Sequence, residues 1–318
     1  MKSDTASGTT QSDNVPDLWN SGRFQIMLAA LMWSTSGFFA KAPWFDAWPT
    51  ETRGLLLAFW RSFFACLILV PMIRRPRFQW QMIPMVVCFA TMVWSFMTAM
   101  VHGPAANTIW LQYLSPAWVL IAGVFLLKEK VTPADFRMFG FCLAGVVLIL
   151  AMELRSGAPM YATYLGILSG MTFAGVVTCI RSLKDADPAF LITLNHGGTA
   201  LVLSPWVLSN TESVSVGSYV ALGMFGVFQM SIPYVLFARG LKTTSSPEAS
   251  ILTLIEPILV PLWVFLAWRN HPSYDAPQWW TLAGGLLILT GLIARYLPQI
   301  LGGNRATTTD DALDAEES

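Results

Sequence analysis

Apolar residues along this chain fall in repeated runs of about 20, each long enough as a helix to cross a hydrocarbon layer of roughly 30 Å. Read by run length and by the Gly, Pro and charged residues between runs, the pattern predicts ten spans, at 24–42, 55–73, 80–101, 105–127, 134–152, 161–181, 190–208, 217–240, 247–268 and 277–298. Only His102, Gly103 and Pro104 separate the third run from the fourth, a link that a tight hairpin of antiparallel helices satisfies. The first run follows a polar stretch without a short basic n-region or a small-residue cleavage pattern, so it reads as an uncleaved span. The expected fold class is all-α integral membrane. The polar ends, 1–22 and 299–318, read as solvated, disordered cytoplasmic tails, the second acidic through Asp310, Asp311, Asp314, Glu316 and Glu317.

Composition agrees with this pattern. Of 318 residues, 54% are apolar and 12% charged, half the charged share of roughly 25% typical of soluble domains. Lys plus Arg number 19 and so do Asp plus Glu, so net charge points to no nucleic-acid partner. The placement of the charges says more. Lys2, Arg23, Arg74, Arg75, Arg77, Lys128, Lys130, Arg137, Arg181, Lys184, Arg239, Lys242, Arg295 and Arg305 fall on one side of the spans, against Lys41, Arg53, Arg155 and Arg269 on the other. By the positive-inside rule the first side is cytoplasmic, and both termini lie there, as expected of a multi-pass protein of the cytoplasmic membrane. Trp44, Trp48, Trp279 and Trp280 at the outer ends and Trp19 and Trp80 at the inner ends suit interfacial belts.

Several chemistries lack their residues. Cys66, Cys88, Cys142 and Cys179 sit inside apolar runs without a CxxC pair, which argues against a disulfide framework or a zinc site. There is no GxxxxGK[ST] loop for ATP, no HExxH and no GxSxG elbow. The expectation is a protein that is not an enzyme, with no cofactor and no metal.

The fifth and tenth runs repeat one another: residues 143–150 match 282–289 at six of eight positions. Leu114, Ser115 and Pro116 in the fourth run correspond to Ile255, Glu256 and Pro257 in the ninth, at nearly the same distance from the matched block. Two halves of five spans follow, 23–152 and 153–298. Because five is odd, the second half must enter the membrane from the opposite face, an inverted repeat of the kind alternating-access transporters use.

These residues also carry a family resemblance. Phe59 to Ala65 in the second span is similar to the Arg-Phe-x-x-Ala stretch of the drug/metabolite transporter superfamily, specifically its EamA-type members. Ala105 to Pro116, then Leu127 to Thr132 and the Gly-containing fifth span, follow in the family's order. So do Ser246 to Ser250, Glu256 with Pro257, and Ala283, Gly284 and Gly285 in the second half. The resemblance covers 24–298. One departure is the absence of an acidic residue after the ninth span, where Arg269, Asn270, His271 and Pro272 stand. The resemblance implies ten helices, both termini inside, and transport of small organic molecules, commonly export of amino acids or related metabolites.

An ionisable group inside a span costs about 2.5 to 3.5 kcal/mol on insertion scales and usually faces a cavity or a partner. Glu256 lies nearly midway along the ninth span, roughly 13 to 14 Å from its cytoplasmic end. It is the first candidate for coupling protonation to transport or holding a substrate ammonium; pairing with a neighbouring helix is the alternative. Pro257 beside it, like Pro116 in the fourth span, breaks helical hydrogen bonding. Arg61, roughly 9 Å into the second span, is a candidate for a substrate anion, or else a helix brace or a snorkelling side chain. His196 is a candidate proton relay or a hydrogen-bonded core histidine. Trp33, Trp94, Asn107, Trp110, Tyr113 and Gln229 line a pocket or serve packing; as a pocket they suit flat, apolar or cationic moieties. Ser34, Ser36 and Gly37, and Gly166, Ser169 and Gly170, occupy corresponding places in the two halves and suit close helix approach.

The expected function is ATP-independent secondary transport of a small organic metabolite, amino-acid-like in carrying both charges, with protons as a coupling ion. Rival readings are a broad exporter of amphipathic or cationic compounds and, in another class, a membrane sensor or assembly protein that moves no solute.

Overall fold

The computed structural model describes residues 21–316 apart from 129, 158, 184, 210–213 and 273, and side chains through Leu301 apart from 126, 127 and 246. The N-terminal tail to residue 20, with Lys2 and Trp19, therefore lies outside the described residues, as do Glu129 and Lys184. The described chain is helical throughout: α1 (Gly22–Trp33), α2 (Ser36–Ala40), α3 (Thr50–Leu69), α4 (Met82–His102), α5 (Ala105–Gln112), α6 (Ser115–Leu127), α7 (Pro133–Ser156), α8 (Tyr161–Ser182), α9 (Pro188–Leu208), α10 (Val216–Met224), α11 (Ile232–Gly240), α12 (Ser246–Thr253), α13 (Glu256–Trp268) and α14 (Trp279–Glu316). Eight segments are long and apolar enough to cross a membrane, which makes this a multi-pass membrane protein. The other two intervals read as spans are helical as well. One is divided into α1 and α2, and the other is α9, whose Asn195, His196, Gly197 and Gly198 dilute its apolar run.

Two boundaries differ from the sequence reading. α7 continues past 152 to Ser156, where Gly157 caps it in the left-handed region at φ 71°. This places Glu153 inside the helix and buries it. α14 runs through the acidic tail to Glu316 instead of stopping at 298.

The helix breaks have local causes. Between α1 and α2 the hydroxyls of Ser34 and Thr35 donate to the carbonyls of Leu31 and Met32, at 2.6 and 2.7 Å, competing with the backbone ladder. Pro116 stands second in α6 and Pro257 second in α13. Each lacks the N–H that would reach back one turn, to Gln112 and to Thr253, so the fourth and ninth intervals are interrupted at matched places. The eighth interval is continuous but widens into a π-helical turn at Phe225–Ser231 between α10 and α11.

Three points fix how α7 and α14 pair. Asp135 meets Arg295 in a salt bridge, Gly145 meets Gly284, and Trp280 Nε1 donates to Glu153 Oε1 at 3.1 Å. As numbers rise along one helix they fall along the other, so the two run antiparallel. The crossing is reciprocal. A Cβ on Gly145 would lie 2.5 Å from the Gly284 carbonyl and 2.9 Å from Ile288, and one on Gly284 would lie 2.7 Å from the Gly145 carbonyl and 2.6 Å from Ile149. These four residues hold equal places in the two matched stretches. α3 and α9 pair in the same antiparallel sense, with Gly197 against Cys66 and Asp187 against the turn that follows α3.

At that turn the Asp187 carboxylate accepts the Arg74 and Arg75 backbone N–H groups at 2.8 and 2.9 Å and caps α9 through Ala189 N at 3.0 Å. Partial burial raises its pKa, but the N–H donors outweigh that and hold it below the usual carboxylate value. A lowered folded-state pKa means stabilisation that is complete above about pH 4 and is lost as pH falls through the folded value. Asp187→Asn is accordingly expected to lower the unfolding temperature equally at pH 6 and pH 8, with the gap to wild type closing below about pH 4. Thermal unfolding across that range checks it.

Candidate functional site

The two matched helix breaks meet at one hydroxyl. Tyr113, between α5 and α6, places its Oη 2.8 Å from the Thr253 carbonyl and 2.9 Å from Glu256 Oε2. The Thr253 carbonyl is the one that Pro257 deprives of its helical donor, so Tyr113 fills a vacancy that proline created. A single hydroxyl proton serves one of these two acceptors at a time. With Glu256 ionised, the carbonyl and the carboxylate compete; with Glu256 protonated, the acid donates to Tyr113 and Tyr113 donates to Thr253, and every group is satisfied. Glu256 is also the first residue of α13, where a negative charge is favoured by the free N–H groups of the helix start.

A second cluster surrounds Arg61. The guanidinium is 1% exposed, its Nε and Nη1 have no hydrogen-bond partner, and no carboxylate among the described residues pairs with it. Its central carbon lies 5.4 Å from the Phe225 ring centre and 5.9 Å from that of Phe96. Phe225 opens the π-helical turn, and Gly226 after it lets α3 approach: a Cβ there would sit 2.7 Å from the Arg61 carbonyl. His196 is fully buried with both ring nitrogens unpaired, edge-on to Phe89 at 5.0 Å and to Tyr234 at 5.8 Å.

Tyr234 joins the clusters. It lies within electrostatic reach of both Arg61 and Glu256, and Trp33 packs edge-on to it at 5.1 Å. Gln229 in the π-helical turn donates to the Trp33 carbonyl at 3.3 Å, while its own Oε1 is buried and unpaired. Trp33, Tyr113, Tyr234 and Glu256 are each only partly buried. Each therefore keeps some accessible surface.

Other candidates are placed elsewhere. Asn107 belongs to a brace: its Nδ2 donates to Glu153 at 2.8 Å and its Oδ1 accepts from Thr281, tying α5 to α7 and α14. Trp110 lies against Gly285 of α14, where a Cβ would come within 2.4 Å of its ring. Trp94 packs on the core formed by α3, α4 and α9. Sequence reasoning missed Tyr234 and Glu153. Tyr234 carries no mark in the sequence beyond that of an aromatic in an apolar run; Glu153 was hidden by the boundary drawn one residue before it.

The end of the bundle bearing Lys41 and Trp44 carries stacked aromatic rings. Phe38 stacks on Trp268 at 5.2 Å, Phe39 on Phe225 at 4.8 Å and Phe45 on Trp48 at 5.7 Å, while Trp268 Nε1 donates to the Phe38 carbonyl at 2.9 Å. Above this layer Lys41 reaches Asp275 at 3.5 Å, and Asp46 meets Arg53 at 2.7 Å and His271 at 3.4 Å. His271 stands in the segment that lacks the family's acidic residue, and here it answers an aspartate from the first half. Among the described residues no cluster of His, Cys, Asp and Glu is placed to hold a metal ion, and all four cysteines are free thiols.

A many-helix membrane bundle with paired helix breaks and buried ionisable groups has the features of a small-solute transporter. The chain belongs to the EamA-like transporter family: the family's sequence profile matches it over residues 20–151 and 160–296. An uncharacterized transporter of Archaeoglobus fulgidus is 27% identical over 86% of this chain and 96% of its own length. The pseudopaline exporter CntI of Pseudomonas aeruginosa is 23% identical over 62% of this chain and 67% of its own. Human solute carrier family 35 member G1 is 23% identical over 58% and 53%. A solved crystal structure shares the fold with a TM-score of 0.58 at 17% identity, covering 87% of this chain and 97% of its own.

Proposed function

We propose that this protein is a secondary transporter that exports a small zwitterionic metabolite, an amino acid or a related compound, across the cytoplasmic membrane without ATP. Ten spans in two inverted five-helix halves enclose the central chamber, and both termini are cytoplasmic. The antiparallel, reciprocal pairing of α7 with α14 supports the inversion, because matched helices of an inverted repeat must run in opposite directions. The observation that carries the transport reading is the pair of helix breaks joined through Tyr113, with Glu256 and the unpaired Arg61 both within electrostatic reach of Tyr234. Such a chamber offers an ammonium a carboxylate and a carboxylate a guanidinium.

Export follows as alternating access. The stacked aromatic rings at the end bearing Lys41 support a chamber that opens toward the cytoplasm. Cargo enters beside Glu256, the halves rock, and the outer layer parts while the opposite end closes. A proton taken by Glu256 completes the Glu256–Tyr113–Thr253 chain and releases an ammonium held there, which is a means of coupling cargo exit to proton entry. The aromatic wall of Trp33, Tyr234 and Phe237 favours a second reading, a broad exporter of cationic amphipathic compounds in which Arg61 is structural.

Solute counterflow in proteoliposomes tests the reading. Preloaded amino acid is expected to accelerate entry of the same labelled amino acid, and Tyr113→Phe, which removes the hydroxyl but keeps the ring, is expected to slow exchange about tenfold, the effect of roughly 1.4 kcal/mol, the upper part of the range for one intramolecular hydrogen bond. Counterflow of cationic amphipaths alone would favour the second reading, and no counterflow of any solute would refute both.

A further inference from the structure

The cluster around Arg61 holds more unpaired groups than the arginine alone. Nε and Nη1 of Arg61, both ring nitrogens of His196 and Oε1 of Gln229 are all buried without a hydrogen-bond partner. Buried polar groups in native proteins are nearly always satisfied, so unpaired ones gathered in one place mark an absent ligand. Tyr234 packs edge-on to the His196 ring, and Arg61 lies within electrostatic reach of both residues. The Trp33 ring packs on Tyr234, and its carbonyl accepts from Gln229.

The inventory defines what fits. Arg61 brings donors only, His196 one donor and one acceptor whichever tautomer it adopts, and Gln229 Oε1 an acceptor. The permanent charge of the cluster is a single guanidinium. A monoanion neutralises it, whereas a dianion leaves one negative charge uncompensated in a dry interior, a cost of several kcal/mol. Phe89, Phe96 and Phe225, packed on His196 and Arg61, add no donor that could offset that charge.

We propose that Arg61 and His196, with Tyr234 beside them, form a seat for one carboxylate of the cargo, that the Gln229 Oε1 accepts from an N–H of its amine, and that this seat rejects phosphate monoesters. The proposal rests on the reading of a zwitterionic cargo and deepens it: the transported class is carboxylic acids bearing an amine, and phosphorylated metabolites are excluded. His196 acts here as a specificity-determining ligand and not as a proton relay.

Thermal unfolding of the purified full chain in detergent, at pH 8.5, where inorganic phosphate is a dianion, and constant ionic strength set with sodium sulfate, tests this with acetate, inorganic phosphate, chloride and methylammonium as probes. Acetate is expected to raise the unfolding temperature saturably in the wild type, and phosphate and chloride are not. Arg61→Gln should abolish the acetate response and His196→Leu should weaken it at least tenfold, while both keep the response to methylammonium, which reads the Glu256 side. If Arg61→Gln does not fold, Arg61→Lys and His196→Gln carry the comparison, with a loss of at least tenfold in acetate affinity expected of each. Absence of an acetate response in the wild type, its survival unchanged in these variants, or an equal saturable response to phosphate or chloride would overturn the proposal. Loss of the methylammonium response alone would contradict the Glu256 side of the transport reading and leave the carboxylate seat standing.

Discussion

Glu256→Gln is expected to abolish accumulation of cargo driven by a proton gradient while leaving a folded protein. The glutamine side chain has the shape of the protonated acid and can donate from its amide to the Tyr113 hydroxyl, which still donates to the Thr253 carbonyl, so the junction of the two helix breaks persists. The missing property is charge. Without a carboxylate the ammonium of the cargo loses a charge-assisted contact of about 1.5 to 3 kcal/mol, which corresponds to a 10- to 100-fold fall in initial rate. Without a titratable proton, the flux that remains should no longer respond to an imposed gradient. Initial rates with and without the gradient, at matched protein incorporation, separate the two effects. A variant that keeps wild-type gradient dependence would reduce Glu256 to a helix brace.

The second large effect concerns the scaffold. Gly284→Ala places a methyl group 2.7 Å from the Gly145 carbonyl and 2.6 Å from Ile149, an overpacking expected to cost about 1 to 3 kcal/mol. Gly284→Val, with two further carbons at the same crossing, should abolish recovery of folded protein from the membrane. Reciprocity adds a sharper expectation. Gly145→Ala should destabilise to a similar degree, and the double alanine variant should cost less than the two singles together, because one separation of α7 from α14 relieves both clashes. Monodispersity on size exclusion and unfolding temperature read the series. Strict additivity would mean that the two glycines do not share one crossing.

These effects trace back to features of unequal legibility in the sequence. Apolar run length places a helix in every interval where a span was drawn, because a bilayer demands long apolar runs whatever the protein does. The repeat showed in residues 143–150 and 282–289, whose glycines are the ones that meet, and a close backbone approach leaves a durable mark because only glycine fits. Pro116 and Pro257 gave the positions of two helix breaks by the same logic of a missing donor. The break after Trp33 had no such mark, since serine and threonine occur freely in helices. Pairing across the bundle was not legible. Nothing in the order of residues says that Tyr113 meets Thr253 and Glu256, or that Asn107 turns to Glu153 and away from the centre. Those contacts depend on how α5 rotates against α7, α12 and α14, which periodicity leaves open. Tyr234, the residue joining the two charged poles, looks in sequence like any aromatic in an apolar run.

The account stands or falls on whether a zwitterionic solute crosses a membrane that contains this protein. The direct measurement is uptake into proteoliposomes from a pooled panel of labelled amino acids and related metabolites, with and without an imposed proton gradient. The expected result is saturable accumulation of one or a few amino-acid-like compounds, dependent on the gradient and independent of ATP, with their methyl esters and phosphorylated counterparts excluded. Liposomes that take up none of the panel above the protein-free background, under either condition, would contradict it.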